Sequence, residues 1–193
     1  MIMKLRMGMI GGGEGSLIGP VHRMAARLDG LAELVCGAFS SDPAVSSSSG
    51  MKEGIPSTRI YASWQEMITR ESTLPDNIRP DFITIVTPNY LHYGPAKMAL
   101  EAGFHVICDK PLCISVAEAE DLHETIERTG RLFCLTHNYT GYPMVKRARE
   151  MVLGGELGEV RKVMVEYLQG WLATPVENTD NRQAAWRSDP SRA

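Results

Sequence analysis

The sequence predicts an α/β fold built on a doubly wound parallel sheet. Three observations carry this expectation. Short, almost continuously apolar runs alternate with helix-patterned segments, a glycine-rich turn follows the first run, and turn-forming motifs close the later ones. With 193 residues, 44% of them hydrophobic, the chain has apolar material for one buried core and part of a second.

Taken in order, Leu5–Ile10 is the first strand and Ile18–Leu28 the helix that follows its turn. Glu33–Phe39 is the second strand, and Pro43–Gly50 a helix with Asp42 as N-cap and proline at its first position. The S-S-S-S-G stretch at Ser46–Gly50 reads as a weak helix end beside a surface loop, and Arg59–Tyr61 as a shorter strand. Then come a helix at Ser63–Arg70, a strand at Phe82–Thr87 and a helix at Leu91–Ala102, with Asn89 as its cap. His105–Cys108, Val116–Thr129, Leu132–His137 and Pro143–Leu153 continue the alternation, and Gly103 and Gly130 sit where left-handed helix ends belong. Strand cores such as F-I-T-I-V and H-V-I-C are almost continuously apolar, as in strands covered on both faces. Val160–Gln169 alternates, which predicts a strand with one exposed face. From Gly170 to Ala193 the chain is polar, with Trp171 and Trp186 but little core pattern. Residues 1–138 are therefore expected as one domain, and 139–193 as the start of a second that the chain does not complete.

Charge and cysteine usage narrow the function. A net charge of −3 provides no basic field for a nucleic-acid backbone or an anionic membrane. Cys36, Cys108, Cys113 and Cys134 show no metal spacing, so no metal site is expected; three of them lie in or beside apolar runs, as buried thiols do in a reducing compartment. The apolar start is broken at once by glycines, which argues against a signal peptide, and no run approaches the ~18 residues of a membrane span. A cytoplasmic protein is expected.

The chemistry gathers at strand ends. G-G-G-E-G-S-L-I-G, Gly11 to Gly19, leads from the first strand into a helix, where glycines bring backbone N–H groups close to a pyrophosphate and the helix dipole favours its charge. The turn is three residues longer than G-x-G-x-x-G; its candidate cofactor-binding residues are Gly11, Gly13, Gly15, Ser16 and Gly19. About 20 residues on, where a carboxylate usually holds the adenosine ribose, stand Ser40 and Ser41, with Asp42 next as helix cap. Hydroxyls suit a 2′-hydroxyl or a 2′-phosphate, so NAD and NADP both stay open. T-P-N-Y-L-H, from Thr87 through Pro88 and Asn89 to His92, reads either as a cleft lining or as a plain helix cap. Asp109-Lys110-Pro111 places a lysine at the carboxyl edge of the sheet. It is suited to donate to a substrate hydroxyl or polarise a developing carbonyl, although the tripeptide alone reads first as a surface lysine in a turn.

Glycine turn, T-P-N-x-x-H, D-K-P and H-N-Y-x-x-Y-P occur in this order at the ends of the first, fourth, fifth and sixth expected strands, and from Lys4 to Tyr167 the chain resembles the Gfo/Idh/MocA family of NAD(P)-dependent oxidoreductases. The resemblance implies an N-terminal Rossmann domain followed by an α/β open-sheet domain, a polyol, cyclitol or sugar substrate, and a homo-oligomer at full length. It implies that Lys110 contacts the reacting hydroxyl and the nicotinamide ribose, that Asp109 holds the ribose hydroxyls, and that the Lys–Pro bond is cis. Pro88 and Asn89 would line the cofactor cleft with His92 nearby; His137, Asn138 and Tyr139 would face the substrate. Thr140-Gly141 stands where many relatives carry arginine, and the family's G-D-x-G-x-H-like catalytic pair is absent. A truncated fragment is therefore expected, able to bind cofactor but lacking the general acid/base. The competing reading is a non-catalytic NAD(P)-binding regulatory module. A Rossmann domain for another adenine ligand leaves D-K-P and T-P-N-x-x-H unexplained.

Overall fold

The computed structural model describes residues 3–168, 170, 173–179 and 184. The chain divides into two compact units, Met1–Thr136 and His137–Ala193. In the first unit, five strands form one parallel sheet: β1 (Leu5–Gly11), β2 (Ala32–Ala38), β3 (Phe82–Val86), β4 (His105–Asp109) and β5 (Phe133–Thr136). Their spatial order is β2-β1-β3-β4-β5. The chain leaves β1 towards β2, then returns across β1 to start β3 on its other side. That reversal opens a crevice beyond the carboxyl ends of β1 and β3, where ligands bind in doubly wound sheets.

Five helices cover the sheet: α1 (Gly19–Leu28), α2 (Pro43–Lys52), α3 (Trp64–Ser72), α4 (Tyr93–Glu101) and α5 (Val116–Thr129). Two apolar clusters result. One joins Ile83, Ile85, Val106 and Cys108 of the sheet to Leu100, Phe104 and Leu122; the other packs Met7, Met9, Phe39 and Val86 with Ile18 and Ala26. Both sheet faces are buried, which is why the strand sequences show so little alternation. Asp42 caps α2 by accepting from the Ala44 and Val45 amides, Ser63 and Ser115 cap α3 and α5, and Gly130 ends α5 at φ 62°.

Several expectations need correction. Arg59–Tyr61 is not a strand: Ser57–Arg59 is a 3-10 turn, and only Ile60 bridges to Gly37. Buried Glu71 holds the segment instead, accepting from Arg59 Nε (3.1 Å), Arg59 Nη2 (2.6 Å) and the Tyr61 hydroxyl (2.7 Å). Ser46–Gly50 is no weak end but the middle of α2, with Ser46, Ser49 and Gly50 buried. The Ser46 hydroxyl accepts from the Phe39 amide and donates to the Tyr61 carbonyl, so these small polar residues are interior hydrogen-bonding groups. α4 begins at Tyr93 with His92, not Asn89, at its N-cap. Cys134 is exposed on β5, whereas Cys36 and Cys108 are buried; all four thiols are free.

The second unit contains a 3-10 turn at Asn138–Gly141, helix α6 (Pro143–Leu153) and a short 3-10 turn at Val176–Asn178. Val160 to Leu168, expected as a strand, form none; Val163, Met164 and Val165 are exposed. A strand needs a ladder partner, and no described residue of this unit is assigned to a strand. Gln169, Trp171 and Trp186 lie outside the described residues. No described helix is long and apolar enough to cross a membrane.

Candidate functional site

The glycine turn sits at the carboxyl end of β1 and is packed against α1 to backbone contact. A Cβ on Gly19 would lie 2.4 Å from the Gly12 Cα, and Gly12 itself has φ +76°. No side chain fits between turn and helix there. The turn's N–H groups divide into two sets. Gly13 donates to the Phe39 carbonyl (3.0 Å), Glu14 to the Ser49 hydroxyl (2.9 Å), Ser16 to the Gly13 carbonyl (3.0 Å) and Gly19 to the Ser16 hydroxyl (3.1 Å). The amides of Gly15, Leu17 and Ile18 donate to no group among the described residues. Gly13 and Ser16, picked out from sequence as cofactor residues, thus shape the turn through their amides, while Gly15 keeps a donor to offer.

Arg23 is the residue that the sequence reading missed here. It is buried on α1, donates from Nη1 to the Gly12 carbonyl (2.7 Å) and pairs through Nε with Glu53 (2.8 Å). An arginine one turn into an amphipathic helix looks like a solvated side chain, so nothing in the sequence marks it. A cavity of about 150 Å³ is walled by the turn itself, at Gly12, Gly13, Gly15 and Ser16, together with Arg23 and Glu53. It does not extend to Thr87–His92 or Asp109–Pro111.

At the end of β2, the Ser40 hydroxyl accepts from the Asp42 amide (3.1 Å), and Asp42 Oδ1 accepts from the Ala44 amide (2.8 Å). Ser41 and Asp42 are exposed. The sequence has no lysine or arginine between Asp29 and Met51, and Lys52 is paired with Glu14 (2.9 Å).

The other side of the crevice follows β3 and β4. Gly11 pairs with Val86 in the ladder, which places Thr87 and Pro88 directly beyond the start of the glycine turn. The Thr87 hydroxyl donates to the Leu91 carbonyl (2.9 Å), closing a tight turn. The side-chain amide of Asn89 has no hydrogen bond among the described residues. His92 departs from expectation: it is 1% exposed, and its ring nitrogens contact the Pro111 carbonyl (2.6 Å) and the Thr87 carbonyl (2.8 Å). Its ring has no atom left to offer a ligand.

Asp109, at the end of β4, accepts from the Thr136 hydroxyl at 2.8 Å and faces His22 Nε2 at 3.9 Å. Burial opposes ionisation of this carboxyl, but the nearby His22 ring, the Thr136 hydroxyl and the Lys110 amide together outweigh it and hold it below its ordinary value. His22, also missed from sequence, reaches it from α1. The Lys110–Pro111 bond is cis. Lys110 is exposed, and its ammonium group has no hydrogen-bond or ion-pair partner among the described residues. His137, Asn138 and Tyr139 belong to the second unit, in or beside its first 3-10 turn. There the Thr140 hydroxyl donates to the His137 carbonyl (2.6 Å), and the hydroxyls of Tyr139 and Tyr167 lie 2.8 Å apart.

Comparison with known proteins agrees with this layout. The sequence profile of an oxidoreductase family with an NAD-binding Rossmann fold, Gfo/Idh/MocA, matches residues 5–139. An uncharacterized oxidoreductase of Bacillus subtilis, YfiI, is 36% identical over 190 residues, 98% of this chain and 48% of that protein. Levoglucosan dehydrogenase of Pseudarthrobacter phenanthrenivorans is 32% identical over 111 residues, 58% of this chain and 27% of that enzyme. The crystal structure of an inositol dehydrogenase homolog from Azotobacter vinelandii, complexed with NAD+, superposes with a TM-score of 0.93 at 38% identity. It covers 99% of this chain and 48% of its own. The chain spans about half the length, or less, of these relatives. The family match covers residues 5–139, and the chain belongs to the Gfo/Idh/MocA family of NAD-binding oxidoreductases.

Proposed function

We propose that this chain is the coenzyme-binding part of an NAD-dependent oxidoreductase that moves a hydride between nicotinamide and a hydroxyl-bearing carbon of a sugar, cyclitol or related polyol. The observation that carries the reading is Lys110. Its ammonium group is unpartnered among the described residues, while Asp109 and Pro111 on either side are held by hydrogen bonds. A lysine left free between two fixed neighbours, at the edge where the crevice opens, is placed to serve a ligand.

The residues present fit a dinucleotide. The amides of Gly15, Leu17 and Ile18 suit a pyrophosphate beside the α1 N-terminus. Ser40, Ser41 and Asp42 suit the adenosine ribose; Thr87, Pro88 and Asn89 border the nicotinamide side, and Asp109 suits that ribose. The coenzyme, when bound, supplies the hydride chemistry. Lys110 would then donate a hydrogen bond to the substrate oxygen and offset the negative charge that develops on it as its proton passes to a general base, the role the family resemblance gives to the G-D-x-G-x-H-like pair. His137, Asn138 and Tyr139 contact the substrate in this reading, with residues 1–138 as the coenzyme domain and 139–193 as the opening of the substrate domain.

We infer NAD in preference to NADP. A 2′-phosphate near Ser40 would meet the Asp42 carboxylate and no cation within the Asp29–Met51 stretch. The Azotobacter vinelandii relative has also been crystallised with NADH and myo-inositol, which supports the choice of coenzyme and of a cyclitol or sugar substrate. The four free cysteines fit a cytoplasmic setting, and the complete protein is read as a homo-oligomer. The experiment is a fluorescence titration of the chain with NADH and NADPH. NADH is expected to bind at least about tenfold more tightly, a difference of roughly 1.4 kcal/mol. Equal binding contradicts the coenzyme choice.

A further inference from the structure

The last ladder pair between β3 and β4 is Ile85–Cys108, so the two rims of the crevice beyond it, Thr87–Asn89 and Asp109–Pro111, have no backbone pairing to hold them in register. His92 supplies that link. Its Nδ1 lies 2.6 Å from the Pro111 carbonyl and its Nε2 2.8 Å from the Thr87 carbonyl, so one side chain spans both rims. Carbonyl oxygens only accept, so a ring N–H donates in at least one of these contacts, whichever tautomer the ring adopts. The ring is buried, and a buried polar ring costs free energy wherever its bonds are not made. Packing alone calls for leucine or phenylalanine at this position.

We propose that His92 is a positioning residue: it sets the Lys110 loop against the Thr87–Asn89 rim and thereby shapes the nicotinamide half of the crevice, touching neither coenzyme nor substrate. The inference rests on the coenzyme reading above. The adenosine half is built by a separate set of bonds. Gly13 donates to Phe39, Glu14 to Ser49 and Arg23 to Gly12, and none of these involves His92. Loss of the ring therefore acts on one half of the site.

The test compares NADH, which occupies both halves, with ADP, which occupies only the adenosine half, on the wild-type chain and on His92→Ala and His92→Asn. His92→Ala is expected to weaken NADH at least about tenfold and to leave ADP affinity within about twofold. His92→Asn, with one amide donor, is expected to recover part of the loss. An unchanged NADH affinity overturns the proposal, and so does an equal loss for NADH and ADP, which is the mark of general destabilisation. Should the variants not fold, proton exchange of the wild-type ring decides. A His92 ring N–H that survives in D2O for minutes supports the link, and one that vanishes within the dead time overturns it. A wild-type chain that binds neither NADH nor ADP overturns the coenzyme reading and this inference together; binding without sensitivity to His92 overturns only the latter.

Discussion

Lys110 owes its place to its neighbours. Asp109 is tied to Thr136 and His22, and Pro111 to His92, while the lysine side chain makes no bond among the described residues. An exposed residue without partners contributes little to folding. Lys110→Ala is therefore expected to leave the unfolding free energy within about 0.5 kcal/mol and to lower the hydride-transfer rate of the complete enzyme by about a hundredfold or more. Thermal melts and steady-state kinetics check the two halves. A stability loss with unchanged kcat would turn the assignment round. Lys110 was visible in the sequence because an acidic residue and a proline enclose it at a strand end. The supports of its neighbours were less so: His22 reaches Asp109 from α1 with no sign in the sequence, and His92 was marked in T-P-N-x-x-H only as a residue near the cleft, not as the partner of Pro111.

At the scale of elements, the site depends on segments whose roles run against their composition. The serine-rich stretch of α2 looks like a surface end, yet Ser46 and Ser49 are buried and hydrogen-bond the chain at Phe39, Tyr61 and Glu14. The segment at Arg59–Tyr61 looks like a strand because it is short and β-branched, yet side-chain bonds to Glu71 hold it where a ladder would. Glu71 is fully buried beneath Arg59 and Tyr61, and their shared environment pushes the Tyr61 hydroxyl well above its ordinary value through burial first and the Glu71 hydrogen bond second. Removing one member of such a pair leaves the other charge uncompensated. Glu71→Ala is expected to cost about 3 kcal/mol, read by urea denaturation, and a cost below about 1 kcal/mol shows that water compensates Arg59. By contrast the strands β1, β3 and β4 and the caps at Asp42 and Gly130 were legible, because continuous apolar runs and cap residues are local signals that burial reinforces.

Across the whole molecule, the order β2-β1-β3-β4-β5 brings three distant motifs to one crevice, and the amino-terminal edge fastens the central strands. Arg6 of β1 and Asp81 before β3 join through Nε (3.0 Å), Nη2 (2.6 Å) and the Arg6 amide (2.7 Å). The Arg6 hydrogen bonds outweigh desolvation and hold the Asp81 carboxyl below its ordinary 3.8. A carboxyl lowered in the folded state stabilises it fully above the unfolded value, and this contribution disappears as pH falls through the folded value. Asp81→Asn is therefore expected to lower Tm at pH 7, with the gap to wild type closing below about pH 4; melts from pH 7 to pH 3 measure it, and a gap independent of pH contradicts the assignment. The second unit was the least legible part. Val160 to Leu168 carry a strand's alternation without a described partner strand, since periodicity reports which face is apolar and says nothing of what the chain pairs with.

The central claim is that the crevice between the glycine turn and D-K-P holds NAD, and direct titration of the 193-residue chain with NADH, followed by nicotinamide fluorescence, tests it most directly. The account predicts saturable binding, weakened by a side chain introduced at Gly19, where a Cβ would lie 2.4 Å from the Gly12 Cα. No change in NADH fluorescence up to about 1 mM, a Kd scale of roughly −4 kcal/mol, would contradict it.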